Sequence, residues 1–135
     1  MKLFVDTGGW VGLFAEGDKY HLQASGAFRR IQGQPIQLLT SDYIFDETLT
    51  HLQRFYGRHT AVRCGRWIVA SHLVEMARID DQVWETAWEM LQAYRDKEWS
   101  FTDCTSFVLM QQAHLWQVFT FDHHFEQAGF QLWPR

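Results

Sequence analysis

Two aspartates directly follow predicted strands, in positions where a carboxylate can reach a ligand. Asp6 comes after the apolar run Leu3–Val5, and Asp122 comes after the run Val118–Phe121. The carboxyl ends of parallel strands form the edge of a sheet at which ligands bind, so two such strands would bring both carboxylates to one edge. Asp6 also begins the motif Asp-Thr-Gly, which is the signature of aspartic proteases, so two kinds of enzyme compete for this residue.

Two further carboxylates are predicted near the first turns of helices. Asp103 lies at the start of a helical pattern, three residues after Ser100, which is a predicted N-cap. Glu47 lies early in another helical pattern, next to Asp46. Adjacent helix residues point about 100° apart, so only one of these two acids is expected to face a site. Glu47 borders the apolar stripe of its helix and Asp46 lies farther from that stripe, so we select Glu47.

Carboxylates that converge on one edge would repel one another unless one takes up a proton or a cation binds between them. Oxygen ligands, without Cys or His at useful spacing, favour Mg²⁺ or Mn²⁺ over zinc. Such an ion usually also binds a phosphate oxygen of the substrate, and the implied reaction is phosphodiester hydrolysis by water that the metal activates. Each carboxylate alone has an ordinary interpretation as a helix cap or turn residue, so the prediction depends on all four.

The elements that would position these acids alternate between strands and helices. The apolar runs that predict strands are Leu3–Val5, Ile36–Leu39, Leu73–Ile79, Val118–Phe121 and Phe130–Trp133. The helical patterns cover Gly9–Phe14, Tyr20–Ile31, Tyr43–Tyr56, Thr60–His72, Asp81–Asp96 and Cys104–Leu115. This alternation predicts an α/β fold, a three-layer α/β/α sandwich with a central, mainly parallel sheet of about five strands. An aspartic protease is built almost wholly from strands and does not fit this pattern.

Composition predicts a single domain over residues 1–135. Hydrophobic residues make up 47% of the chain and aromatic residues 16%, far from the composition of a disordered protein. Cys64 and Cys104 lack metal-type spacing and are expected to be free, buried thiols. No apolar run approaches the roughly 18 residues of a membrane span, so we expect a cytoplasmic protein without a membrane partner. The net charge of −4 argues against binding nucleic acid through bulk electrostatics.

Four ordered blocks of sequence resemble those of PIN-domain ribonucleases, in particular the VapC-like toxins of type II toxin–antitoxin pairs. The blocks are LFVDTGGW, SDYIFDETLTHL, SFTDCTSFVLMQQA and VFTFDHHFEQAGF, which together span nearly the whole chain. The resemblance implies an endoribonuclease that binds one or two Mg²⁺ or Mn²⁺ ions. The implied catalytic and metal-binding residues are Asp6, Glu47, Asp103 and Asp122, with Thr7 and Thr120 as supporting hydroxyls. It further implies a homodimer and a cognate antitoxin that blocks the acidic site with a basic side chain.

Residues 51–72, the basic segment, carry arginines and histidines but no acid. Its arginines are candidates for contacts with an RNA backbone: Arg54, Arg58, Arg63 and Arg66. Phe55, Tyr56 and Trp67 are candidates for stacking on bases. A solvated helix face and a contact surface for a partner protein are the alternatives for this segment.

Other interpretations of the chain stay open. A PIN-like fold with a defective site would be an RNA- or protein-binding module, although the complete set of four acids argues against it. His123 and His124 follow Asp122, but adjacent residues rarely share one ion, so we expect them in an exposed loop. The tryptophans at 84, 88, 99, 116 and 133 are expected in packing or in a dimer interface.

Overall fold

The computed structural model describes all residues, Met1–Arg135, and contains a fully parallel sheet of five strands. The strands are β1 (Lys2–Val5), β2 (Gln37–Ser41), β3 (Val74–Ala77), β4 (Gln117–Phe119) and β5 (Gln131–Trp133). Their order across the sheet is β3-β2-β1-β4-β5. The chain therefore builds outward from β1 in both directions. The crevice beyond β1 and β4 is the topological switch point, where ligands bind in open α/β sheets.

Seven helices connect and cover the strands. They are α1 (Thr7–Phe14), α2 (His21–Ile31), α3 (Asp42–Tyr56), α4 (Arg58–Ala70), α5 (Asp81–Ala93), α6 (Phe101–Gln112) and α7 (His124–Gln127). Helices α1 to α4 pack against one another, and α5 packs against α6. Leu3, Phe4 and Val5 alternate between the two faces of β1 and none of them is exposed, so both faces are covered. The predicted α/β/α sandwich with a five-stranded parallel sheet is confirmed.

The predicted elements differ from the observed ones mainly at their ends. The strand expected over Leu73–Ile79 covers only Val74–Ala77. The helix expected over Cys104–Leu115 begins earlier, at Phe101, because Ser100 caps it there. The strand expected to reach Phe121 ends at Phe119, so the acid at position 122 lies in the segment beyond β4.

The short helix α7 was not predicted. His124 was expected in an exposed loop with His123, but it begins α7 and its side chain is only 21% exposed. The helix is held in place by Phe125, which has no exposed surface. A helix of four residues is too short to produce a helical period in the sequence. The expectation for His124 was therefore wrong, whereas the His123 side chain is 70% exposed, as expected.

Two glycines allow α1 to begin close against the end of β4. A Cβ atom on Gly9 would lie 2.4 Å from the carbonyl oxygen of Phe119, and one on Gly8 would lie 2.9 Å from Thr120 Oγ1. Any larger side chain at Gly9 would meet backbone, which cannot move aside as a flexible side chain can. The glycine pair therefore sets the distance between the first turn of α1 and the segment after β4.

The two cysteines are buried, as expected, whereas the tryptophans differ in how much of their surface is exposed. Both cysteines are free and buried, and burial raises the pKa of the Cys64 thiol to about 12 and that of Cys104 to about 11, which leaves them unreactive. Trp99 is buried, whereas Trp84, Trp88 and Trp116 expose 39%, 43% and 60% of their surface. No helix has the length and apolar character needed to cross a membrane.

Candidate active site

Asp6 stands at the switch point between β1 and α1. Its carbonyl oxygen accepts hydrogen bonds from the amides of Gly9 and Trp10, so the residue is the N-cap of α1 by its backbone. Its side chain caps nothing and instead accepts a hydrogen bond from Thr120 Oγ1 at 2.9 Å. The other carboxylate oxygen, Oδ1, is buried and has no hydrogen-bond partner. A buried carboxylate oxygen without a partner is costly unless the group is protonated or binds a cation, so Oδ1 is a candidate metal ligand.

Helix α3 brings Glu47 to the same region. Ser41, the last residue of β2, caps this helix by accepting a hydrogen bond from the amide of Ile44 at 3.1 Å. Glu47 then lies one turn into the helix, where its Oε1 accepts a hydrogen bond from Thr7 Oγ1. Asp46 is exposed, so the structure places Glu47, and not its neighbour, against the start of α1.

Helix α6 supplies Asp103 through a capping box. Ser100 Oγ accepts a hydrogen bond from the Asp103 amide at 2.9 Å, and Asp103 Oδ2 accepts one from the Ser100 amide at 3.1 Å. This reciprocal cap fixes the Asp103 side chain at the helix start, where it is 7% exposed. The same Oδ2 atom lies 3.2 Å from Nδ1 of His124.

The segment after β4 contributes the fourth carboxylate. The Asp122 amide donates to Thr120 Oγ1 at 3.3 Å, so this hydroxyl links Asp122 to Asp6. Asp122 Oδ1 accepts a hydrogen bond from the His124 amide at 2.9 Å and lies 3.4 Å from His124 Nδ1. His124 therefore holds a ring nitrogen between the carboxylates of Asp122 and Asp103.

These side chains line one cleft of about 470 Å³, which we call the acidic cleft. It is lined by Asp6, Thr7, Gly8, Glu47, His51, Glu98, Ser100, Asp103, Asp122 and His124. Five of these residues are carboxylic acids, two are histidines, and none is Lys or Arg. All four acids selected from the sequence are brought together, although they come from four separate stretches of the chain.

Burial and mutual repulsion perturb the acids of the cleft. Burial, followed by repulsion from Asp103 and Glu47, raises the pKa of Asp6 to about 8, and the hydrogen bond from Thr120 only partly opposes this. Burial is also the main cause that raises the pKa of Glu47 and the pKa of Asp103. The cleft therefore favours either a bound proton or a bound cation at neutral pH.

The donor set of the cleft fits a divalent cation with a preference for oxygen. The unpartnered Oδ1 of Asp6 and the neighbouring carboxylates are the ligands that Mg²⁺ and Mn²⁺ prefer, and no thiolate is present. Asp122, His123 and His124 bring three ligand atoms within 4.8 Å of one another. In that second group, however, His124 Nδ1 lies within hydrogen-bond reach of two carboxylates and His123 is largely exposed. The carboxylates of the cleft supply the oxygen donors that a hard cation prefers.

Sequence reasoning missed three residues that line the acidic cleft: His51, Glu98 and His124. His51 lies four residues after Glu47, so its place on the same face of α3 could have been found from helical spacing. Glu98 lies in the loop before α6 and carries no periodic signal. His124 depends on α7, whose position only the tertiary structure shows.

The four arginines of the basic segment are all exposed, and two of them have different neighbours. Arg54 lines a groove next to the acidic cleft, whereas Arg58 and Arg66 are exposed on α4. Arg63 donates a hydrogen bond to the carbonyl oxygen of Phe14 at 2.9 Å and lies over the ring of that residue.

The aromatic residues of the basic segment also separate. Trp67 is half-buried, and its ring centre lies 5.9 Å from that of Trp10 and 6.2 Å from that of Phe28, so this ring packs against the core. Tyr56 is half-buried and its hydroxyl lies 3.5 Å from Asp18. Phe55 is 60% exposed.

The chain is similar to known proteins over nearly its whole length. The PIN domain family matches residues 3–131. The 23S rRNA-specific endonuclease VapC20 of Mycobacterium tuberculosis is 34% identical over 129 residues, which are 95% of either chain. A VapC ribonuclease of Archaeoglobus fulgidus is 28% identical over 127 residues, 93% of this chain and 80% of the other. The crystal structure of M. tuberculosis VapC20, described as a toxin that cleaves the sarcin–ricin loop, superposes with a TM-score of 0.88 at 32% identity over 96% of both chains.

Proposed function

The chain belongs to the PIN domain family, and we propose that it is a metal-dependent endoribonuclease that acts as the toxin of a type II toxin–antitoxin pair. The observation that carries the proposal is the buried Asp6 carboxylate, whose Oδ1 lacks a partner inside a cleft of five acids. Relatives over nearly the whole chain are named ribonucleases and endonucleases. The reaction is hydrolysis of an RNA phosphodiester bond.

Asp6, Glu47, Asp103 and Asp122 are the proposed ligands of one or two Mg²⁺ or Mn²⁺ ions. A divalent ion held there would activate water and neutralise charge on the attacked phosphate. The chain itself keeps the ligands in place. Thr7 donates to Glu47, Thr120 links the carboxylate of Asp6 to the backbone of Asp122, and His124 contacts the carboxylates of Asp103 and Asp122.

The acidic cleft has a second consequence for substrate binding. It carries no Lys or Arg, so an RNA phosphate entering it meets five carboxylic acids and no permanently charged cation. Without a bound cation this approach is repulsive, which makes metal binding a condition for substrate binding as well as for chemistry. The proposed contacts to more distant phosphates are Arg54 beside the cleft and Arg58 and Arg66 on α4, with a smaller contribution from Arg63, whose guanidinium also contacts Phe14.

The proposed partners are an RNA substrate, a cognate antitoxin and a second copy of the chain. The proposed location is the cytoplasm, with no membrane partner. An antitoxin arginine that enters the acidic cleft would form charge-assisted hydrogen bonds with several carboxylates. Ribosomal RNA belongs among the substrates to be tested, because the relative from M. tuberculosis is named a 23S rRNA-specific endonuclease.

The deciding experiment measures cleavage of single-stranded, transfer and ribosomal RNA by purified protein that is free of antitoxin. Each RNA is incubated with Mn²⁺, with Mg²⁺ or with EDTA, and the Asp6→Asn variant is tested in parallel. We expect cleavage with metal and none with EDTA or with the variant. Cleavage that persists in EDTA would contradict the metal mechanism.

The binding-module alternative makes a different prediction in the same experiment. Binding of RNA without cleavage under every metal condition would favour it. The aspartic protease suggested by Asp-Thr-Gly does not fit a parallel sheet covered by helices on both faces.

A further inference from the structure

A second groove, of about 780 Å³, lies beside the acidic cleft between α3 and the first turn of α6. Tyr43, Phe55 and Phe101 supply its aromatic lining, so we call it the aromatic groove. Glu47 and His51 line both the groove and the acidic cleft, which makes the two spaces continuous. A chain that enters the cleft can therefore extend directly into the groove.

Helical spacing explains why α3 builds this path. Tyr43, Glu47, His51 and Phe55 follow one another at intervals of four residues, so they form one row along the helix. Glu47 stands at the acidic cleft, and Phe55 lies about 12 Å farther along the helix axis. The row thus leads from a proposed metal ligand to an exposed aromatic ring.

Phe55 has the properties of a stacking surface. Its side chain is 60% exposed. The His51 ring lies 4.8 Å from the Phe55 ring, and the Arg54 guanidinium lies 5.2 Å from the ring centre. His51 and Arg54 therefore pack against the Phe55 ring. An aromatic ring beside a guanidinium is a surface on which unpaired bases stack.

The charges of the aromatic groove favour a base over a phosphate. Its lining includes Asp42, Asp46 and Glu47 against a single cation, Arg54. One oxygen of Asp42 already accepts hydrogen bonds from the amides of Tyr43 and Ile79, both at 3.0 Å. Asp46 has no such partner and is exposed. A neutral, flat group with hydrogen-bond donors on its edge suits the acidic part of this lining, and Arg54 is the one group in it that can contact a phosphate.

We propose that the aromatic groove binds an unpaired base that flanks the bond to be cut, with Phe55 as its stacking partner. The proposal rests on the proposed ribonuclease function and adds a requirement for an unpaired nucleotide at a fixed distance from the cut. It predicts preference for single-stranded or looped RNA, because a base within a duplex cannot enter the groove.

The test combines a protein change with an RNA change. After the cut is mapped in a single-stranded RNA, abasic nucleotides are placed in turn at the flanking positions, and kcat/KM is measured for the parent, Phe55→Ala and Phe55→Trp. Leu22→Ala is the matched control, because Leu22 is an exposed apolar residue on α2 that is 85% exposed and lines neither the cleft nor the groove.

We expect Phe55→Ala to lower kcat/KM on the order of tenfold, which is the usual size of a stacking contact, while Phe55→Trp keeps the parent's value. One abasic position should cost the parent a similar factor. That same position should cost Phe55→Ala almost nothing, because the base has already lost its partner. Leu22→Ala should behave as the parent does.

Two outcomes would overturn the proposal. Equal kcat/KM for the parent and Phe55→Ala would show that the groove serves another occupant, such as a segment of the antitoxin. The second outcome is that the factors by which Phe55→Ala and the abasic nucleotide lower kcat/KM multiply at every position. The two changes would then act independently, and no base would contact Phe55.

Failure of the proposed function gives a different result. In that case the parent cuts no RNA, and the groove is tested by binding of a short fluorescein-labelled single-stranded RNA in EDTA. Weaker binding by Phe55→Ala than by the parent supports the groove, and equal binding contradicts it.

Discussion

The acidic cleft and the basic segment are organised in opposite ways. The cleft collects Asp6, Glu47, Asp103 and Asp122 from stretches of sequence far apart and brings them to one place. The basic segment has its arginines within a few residues of one another, yet Arg54 lines the groove beside the cleft while Arg63 contacts Phe14. Closeness in sequence is therefore a poor guide to which charges act together in this protein.

The reason lies in the elements that carry the charges. Parallel strands and the helices after them end or begin at one edge of a sheet, so residues at their ends converge. A helix turns by about 100° at each residue, so neighbouring charges on it diverge. The basic segment crosses the end of α3 and all of α4, and Arg54 and Arg63 consequently contact different parts of the molecule.

The largest expected effect separates two adjacent acids of α3, Glu47 and Asp46. Glu47→Gln removes a proposed metal ligand and should lower kcat by at least about a hundredfold, because metal stabilisation of the transition state is worth several kcal/mol. Asp46→Asn changes the charge next to it, and because Asp46 is exposed and lines only the aromatic groove, it should act on KM and leave kcat near that of the parent. The measurement is RNA cleavage with Mn²⁺. A larger loss for Asp46→Asn would mean that the wrong acid was selected.

A second change breaks the convergence itself. In Gly9→Ala the new Cβ would lie 2.4 Å from the Phe119 carbonyl oxygen, so α1 must move away from β4. Overpacking of this kind costs about 1–3 kcal/mol, and we expect a melting temperature lower by about 4 °C for each kcal/mol.

The control for Gly9→Ala is Gly26→Ala in α2. At Gly26 the nearest atom to an added Cβ is Arg30 Nη1 at 3.7 Å, and replacing a helical glycine with alanine usually stabilises by about 0.5–1 kcal/mol. The two variants should therefore move the melting temperature in opposite directions. A shift in the same direction would contradict the close approach of α1 to β4.

The third prediction concerns pH in metal-free protein. The folded pKa of Asp6, about 8, lies above its ordinary value of 3.8, so between these values the folded protein binds more protons than the unfolded one. The free energy of unfolding should therefore fall as pH rises from about 4 to about 8. Asp6→Asn cannot ionise, and in EDTA its melting temperature should exceed that of the parent near pH 8 while the two converge near pH 4.

Added Mn²⁺ should reverse this order. The ion binds the ionised carboxylates of the parent and stabilises its folded state by mass action, most strongly at high pH. Thermal unfolding of both proteins with and without Mn²⁺ measures the effect. Equal stabilisation of the parent and Asp6→Asn would count against Asp6 as a ligand.

The smallest expected effect separates two arginines of the basic segment. Arg54→Ala should weaken RNA binding and reduce the slope of log affinity against log salt by about 1, as loss of one phosphate contact does. Arg63→Ala should leave the slope closer to that of the parent, because its guanidinium is engaged by Phe14. Equal losses of slope would show that the RNA path covers both surfaces.

The order of strands and helices followed from the sequence because apolar runs and helical periods are local signals. The positions of Asp6 and Asp103 followed from the same signals, since one ends a strand and the other lies in the first turn of a helix capped by Ser100. The choice of Glu47 over Asp46 needed only the position of each residue relative to the apolar stripe of α3. Their roles as metal ligands stay predictions that the variants above test.

Tertiary structure alone decided which other side chains join these acids. His124 reaches Asp103 only because α7 folds against the core through Phe125, and four residues are too short for a periodic signal. Glu98 lines the cleft from a loop, and the half-buried Trp67 packs against Trp10 although Arg66 beside it is exposed. Local patterns determine which elements form, whereas the contacts between distant elements depend on strand order and helix packing, which no short stretch of sequence contains.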